Sequence, residues 1–206
     1  NFFMLFRKAH FRKYLACIVI GLPVWFVVGI LIALSHKFFP EILASSGLKV
    51  DAESVKAFSV ATPEMVMWSY VGLSTGDLLS GLLSQLFKSR KKVIYLNLMG
   101  IAAMTLVYLY GPTGDQNYYR FIAFSLGAVT GYWAIFVTNA SEQFGTNIRM
   151  TVTTTVPNFV RGALIPISLL FKSLIPSLGL IHAAAWVGVL CFSLALFAIS
   201  QLKDTF

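Results

Sequence analysis

Charge is what this 206-residue sequence has least of: Asp, Glu, Lys and Arg make up only 12% of it. A soluble domain carries roughly 25%. With so little polar surface to offer water, a soluble enzyme, a nucleic-acid module and a disordered tail are all excluded. Acid is the scarcer sign, with 8 Asp and Glu against 16 Lys and Arg and a formal net charge of +8. In an apolar chain that surplus reads as the basic bias of membrane loops, with no nucleic-acid partner. Cysteine is nearly missing too. Cys17 and Cys191 both lie in apolar runs, which offers neither a disulfide framework nor a CxxC metal site. No HExxH and no His/Cys cluster occurs. The sequence is therefore read as non-enzymatic, without cofactor or metal.

What is present in quantity is hydrocarbon: 57% of residues are hydrophobic and 15% aromatic. A hydrocarbon core of about 30 Å takes about 20 apolar residues to cross. Six such stretches predict an all-α membrane protein with helices at about 14–34, 63–87, 93–110, 119–140, 150–171 and 178–202. Helices are required because a lone strand in lipid leaves its backbone unpaired. Residues 35–62 are expected to form an extracytoplasmic loop, with a short surface helix from Asp51 to Phe58 capped by Asp51. The chain opens on Asn1 without a cleavable signal peptide, which reads as a piece of a longer protein.

Basic residues set the expected orientation. Arg7, Lys8, Arg12, Lys13, Lys88, Arg90, Lys91, Lys92, Arg149 and Lys203 fall on one side if the spans alternate. They outnumber Lys37, Lys49, Lys56, Arg120 and Lys172 on the other, which predicts both termini in the cytoplasm of an integral inner (plasma) membrane protein. Trp68, Tyr118 and Tyr119 suit an interfacial belt. Pro23, Pro157 and Pro166 are expected to kink their spans. Gly72/Gly76 and Gly127/Gly131 have the GxxxG spacing of close helix packing, or of a substrate route.

Two charges lie where charge is costly. Asp77 and Arg161 are each about three helical turns from the basic boundary residues Lys88 and Arg149, or roughly 16–18 Å. That is near the bilayer centre, where a charge costs about 2.5–3.5 kcal/mol. At one level on two helices, an acid and a base are placed to pair. Either the pair locks the bundle, or it is a substrate and proton site. In low dielectric a carboxylate favours its protonated form, and a nearby guanidinium favours the ionised form. Moving the arginine away would thus switch the proton affinity of the acid. Asn158 shares a face with Arg161, and Ser74 and Tyr70 share one with Asp77. Tyr132, Trp133 and Trp25 lie mid-span, as packing aromatics or as ligand contacts. The threonines at 151 and 153–155 are placed to bond their own helix, and His10, His36 and His182 read as solvated or interfacial.

Two fragments carry a family resemblance. Gly81-Leu-Leu-Ser-Gln85-Leu-Phe-Lys88-Ser-Arg90-Lys91-Lys92 resembles the G-x-x-x-D-R-x-G-R-R/K loop of the major facilitator superfamily. Gln85 stands at its aspartate, Leu86 at its arginine, Lys88 at its second glycine and Ser89 at a basic position. Glu142-Gln-Phe144-Gly-Thr146-Asn-Ile-Arg149 is similar to the family's E-x-F-P-T-x-x-R, as in its sugar-porter and metabolite–proton symporter branches, with Gly145 at the proline. The resemblance implies the carboxy-terminal half of a twelve-helix carrier, built as two inverted three-helix repeats. It implies a partner, either an amino-terminal six-helix half or a second membrane chain. The first and fourth spans would line a cavity, and Gln85, Lys88, Arg90, Lys91, Glu142 and Arg149 would form a cytoplasmic gate. In that gate Arg90 and Lys91 would meet Glu142 or a helix end. The function so implied is alternating-access, proton-coupled transport of a small polar metabolite, with Arg161 suiting a carboxylate or zwitterion. The competing reading is a non-transporting assembly subunit.

Overall fold

In the computed structural model, residues 5, 8–45, 47, 52–111 and 116–205 are described. They form α1 (Lys8–Ile20), α2 (Leu22–Phe26), a π-helical stretch Val27–Ile32, α3 (Ser35–Ser45), α4 (Ala52–Phe87) and α5 (Arg90–Tyr110). Then follow α6 (Gln116–Thr130), α7 (Trp133–Glu142), α8 (Thr146–Gly162), α9 (Leu164–Leu178) and α10 (Leu180–Gln201). Among the described residues five helical stretches are long and apolar enough to cross a membrane: His10–Ile32, Arg90–Tyr110, Asn117–Glu142, Thr146–Leu178 and Leu180–Gln201.

Six spans were expected, and the stretch outside the five is 63–87. It lies inside α4, whose 36 residues make it the longest helix described. Ser69, Ser74, Thr75, Asp77, Ser80 and Ser84 dilute its apolar content. The structure also corrects the expected loop at 35–62. Residues 35–45 are α3, and residues 52–62 are the first turns of α4 rather than a separate short helix. Pro63 sits inside α4 without ending it. Asp51, the expected cap, lies outside the described residues, as do Arg7 and Lys49.

Three stretches that cross the bundle are broken in mid-course. The first breaks at Gly21, with Pro23 in the first turn that follows. The second breaks at Gly131–Tyr132, and the third at Ala163, with Pro166 in the first turn of α9. Proline belongs in a first turn, where its missing N–H costs nothing. Pro157, by contrast, lies within a continuous α8.

α4 and α6 make the closest helix pair. A Cβ at Gly72 or Gly76 would run into the carbonyl oxygens of Phe124 or Ala128, and one at Gly127 into that of Ser69. The two GxxxG motifs therefore face each other with backbone on backbone. α10 packs against the first span within a single apolar core to which all the helices contribute. Gly188 there admits the ring of Phe26, which meets Phe192 edge-on at 5.8 Å. Tyr119 is buried (3% exposed) with its ring 4.3 Å from that of Phe39, so it is a packing residue and not part of an interfacial belt. Half-buried Tyr118 meets it edge-on at 5.5 Å, while Trp68 is exposed.

Contacts sort the helix ends into two groups. Arg90 pairs with Glu142, Lys91 reaches the Leu202 carbonyl, and the His10 ring lies 6.0 Å from Phe144. Thus the start of α1, the α4–α5 and α7–α8 turns and the end of α10 share one strongly basic end. At the opposite end Arg120 pairs with Glu64, Glu41 accepts from the Leu180 N–H, and the Tyr110 hydroxyl meets His182 Nδ1 at 3.0 Å.

Candidate functional site

The three breaks meet. Tyr132 sends its hydroxyl to the Ile20 carbonyl at 2.8 Å, tying the α6–α7 break to the α1–α2 break. Val24 N–H bonds the Gly21 carbonyl instead of that of Ile20, so the tyrosine satisfies an acceptor the helix has given up. A Cβ at Gly21 would meet Val160, one residue before Arg161. Around this junction the chain has irregular backbone at depth, which lipid tolerates only where protein or a watery hollow covers it.

α4 repairs the α6–α7 break with two side chains one turn apart. Ser80 donates to the Gly131 carbonyl at 2.6 Å, and Asn97 of α5 donates in turn to Ser80 Oγ at 3.2 Å. Asp77 Oδ1 accepts from the Ala134 N–H at 3.2 Å. A carboxylate at the first N–H groups of α7 is well placed, because those donors have no partner in their own helix and the helix dipole favours a negative charge there.

Arg161, in the last turn of α8, is exposed. Its guanidinium carbon lies 6.0 Å from the Trp25 ring centroid and 5.9 Å from that of Trp133. The two indoles meet edge-on at 6.3 Å and 82°. The expected Asp77–Arg161 ion pair is not formed. Both groups instead stand near Trp133, the guanidinium beside its ring and the carboxylate at the N–H of the next residue, Ala134. Among the described residues Arg161 has no carboxylate partner, and the buried Nε1 of Trp25 has no acceptor. The site thus holds an exposed cation without a carboxylate partner, with two aromatic faces beside it.

The remaining residues singled out from the sequence divide. Tyr132 is 0% exposed and engaged with Ile20, which makes it a strut and removes it from any open path. Tyr70 and Ser74 are exposed on α4, and the Ser74 hydroxyl bonds the Tyr70 carbonyl. Asn158 is exposed one turn from Arg161 and donates to the Thr154 carbonyl of its own helix at 2.9 Å. Thr153, Thr154 and Thr155 bond their own helix as well, and Thr155 also accepts from the Tyr14 hydroxyl at 2.7 Å.

At the basic end, Arg90 Nη2 stands 2.8 Å from Glu142 Oε1. Arg90 Nε and Glu142 Oε2 are buried without a hydrogen-bond partner, so the pair is held through one contact. Lys91 Nζ donates to the Leu202 carbonyl at 2.8 Å and the Ser200 carbonyl at 3.3 Å, a cation on the carbonyl end of α10. Gln85, Lys88 and Arg149 are exposed, and their side chains make no hydrogen bond or ion pair among the described residues. Lys88 has φ +47°, the left-handed turn that glycine favours.

Sequence reasoning missed the tail. Asp204 accepts from Ser89 Oγ at 2.6 Å and from the Lys91 N–H at 3.3 Å. Thr205 donates to Asn139, and Gln143 exchanges hydrogen bonds with the Lys203 backbone. The available signals were Ser89, an N-cap residue type immediately before a basic helix start, and an acid beside a basic turn. Asn97, a lone amide in an apolar run, was an equal signal for the Ser80 network. Among the described residues no group of three or more His, Cys, Asp or Glu side chains is placed to hold a metal.

Compared with protein-family models, curated proteins and solved structures, the chain matches none.

Proposed function

We propose that this chain is half of a secondary transporter of the major facilitator type. In this reading α4 supplies a sixth span, and the six spans form two inverted three-helix repeats. The other half is a further six-helix segment or a second membrane chain. The substrate is a small carboxylate or zwitterion, taken up with protons by alternating access. The protein sits in the plasma membrane with the basic end and both termini in the cytoplasm, as the surplus of Lys and Arg there supports. One observation carries the proposal: Arg161 stands without a carboxylate, beside two indoles, where three broken helices meet. Carriers place substrate sites at discontinuous helices, and a guanidinium there suits a carboxylate. The Arg90–Glu142 contact, with one oxygen and one nitrogen left unpartnered, supports the role of a gate that opens.

The test is uptake of labelled carboxylates and amino acids into vesicles, with and without a proton gradient. Arg161→Gln is expected to lower uptake at least tenfold, the loss of one charge-assisted contact. Asp77→Asn keeps an oxygen for the Ala134 N–H and removes the titrating proton. It is expected to abolish gradient-driven accumulation and to spare exchange in part. A second reading, an assembly subunit, is favoured by the capping role of Asp77 on α7. It predicts no uptake at all, tolerance of an apolar residue at 161, and a loss of stability rather than of transport at 77.

A further inference from the structure

A groove of about 640 Å³ runs between α1 and α10 at the basic end, apart from the junction of the broken helices. Its composition changes along its length. Arg12 and Lys13, near the start of α1, and Gln201, the last residue of α10, line its outer end. Deeper, the walls are Val19 and Leu194, with Ala16 and Ala198 between. Arg12 to Val19 spans about 10 Å of helix. Arg12 is exposed and Lys13 half-buried, and neither forms an ion pair among the described residues. Two cations over an apolar channel, at the end of a membrane bundle, match one occupant in charge and in polarity profile. Its anionic head would sit at the two cations, and its hydrocarbon along the alanines. We propose that this groove is a binding site for one anionic phospholipid, seated with its phosphate on Arg12 and Lys13. Zwitterionic lipid offers the same chains and phosphate but cancels the headgroup charge, and basic clusters beside membrane helices select against it. The proposal needs membrane residence and is independent of transport.

The experiment is lipid retention by the purified full chain, measured by native mass spectrometry after incubation with phosphatidylglycerol or phosphatidylcholine. The wild-type chain is expected to keep one phosphatidylglycerol and to prefer it over phosphatidylcholine by about tenfold or more. Arg12→Gln with Lys13→Gln should abolish that preference. Lys92→Gln with Lys203→Gln removes the same charge from the same end outside the groove, and should leave the preference intact. Equal loss in both double variants would reduce the effect to general surface attraction and overturn the proposal. Equal retention of the two lipids by the wild-type chain would overturn it as well.

Discussion

The α4–α6 contact makes a prediction in which one substitution, made twice on one helix, has opposite signs. Alanine is the better helix former by about 0.8–1 kcal/mol over glycine. At Gly81 an added Cβ meets nothing within 4 Å, so Gly81→Ala is expected to stabilise the protein by nearly that amount. At Gly76 the same methyl would land on the Ala128 carbonyl, which is backbone and does not swing aside. The helices must part, at an overpacking cost of about 3 kcal/mol. After the helix-propensity gain, Gly76→Ala is left about 2 kcal/mol less stable. The two variants should therefore differ by about 3 kcal/mol, more than a hundredfold in the folding equilibrium. Reversible unfolding in mixed micelles, followed by circular dichroism, reads the difference directly. If the two variants unfold together, or Gly76→Ala is the more stable, the close approach of α4 and α6 is wrong. The Asp77 cap on α7, which depends on that approach, would fall with it.

Lys88→Gly should raise the unfolding midpoint, because it relieves a left-handed residue at a cost of about 1–2 kcal/mol; a lowered midpoint would show that the turn does not require that conformation. A double-mutant cycle of Arg90→Gln and Glu142→Gln should give a coupling of about 1 kcal/mol. The pair is mostly shielded, with 22% and 27% side-chain exposure, but is held through one contact. Additive effects would dissolve the latch.

Much of the architecture was legible because membrane helices announce themselves through apolar length, which needs no knowledge of partners. The helix 63–87 was seen, but not that it begins at 52. Pro63 reads as a start, and only the continuing backbone overrides it. The basic end was legible from Lys88 to Lys92 and from Arg149, since charge position follows from chain position. The tail contacts of Asp204 and Thr205 were not, because hydrogen bonds spanning a hundred residues leave no local period. Tyr132 reads as a mid-span aromatic facing either way. Its burial is set by the hydrogen bond to the Ile20 carbonyl, 112 residues away in the chain.

Composition and apolar length alone determined that the chain is helical, with helices apolar enough to cross a membrane. Those properties follow from what each residue costs in hydrocarbon. The tertiary structure decided what Asp77 and Arg161 touch. A helix offers every side chain a depth from its sequence, but its rotation and breaks come only from packing. Here packing turned the carboxylate to the Ala134 N–H of α7 and left the guanidinium beside two indoles.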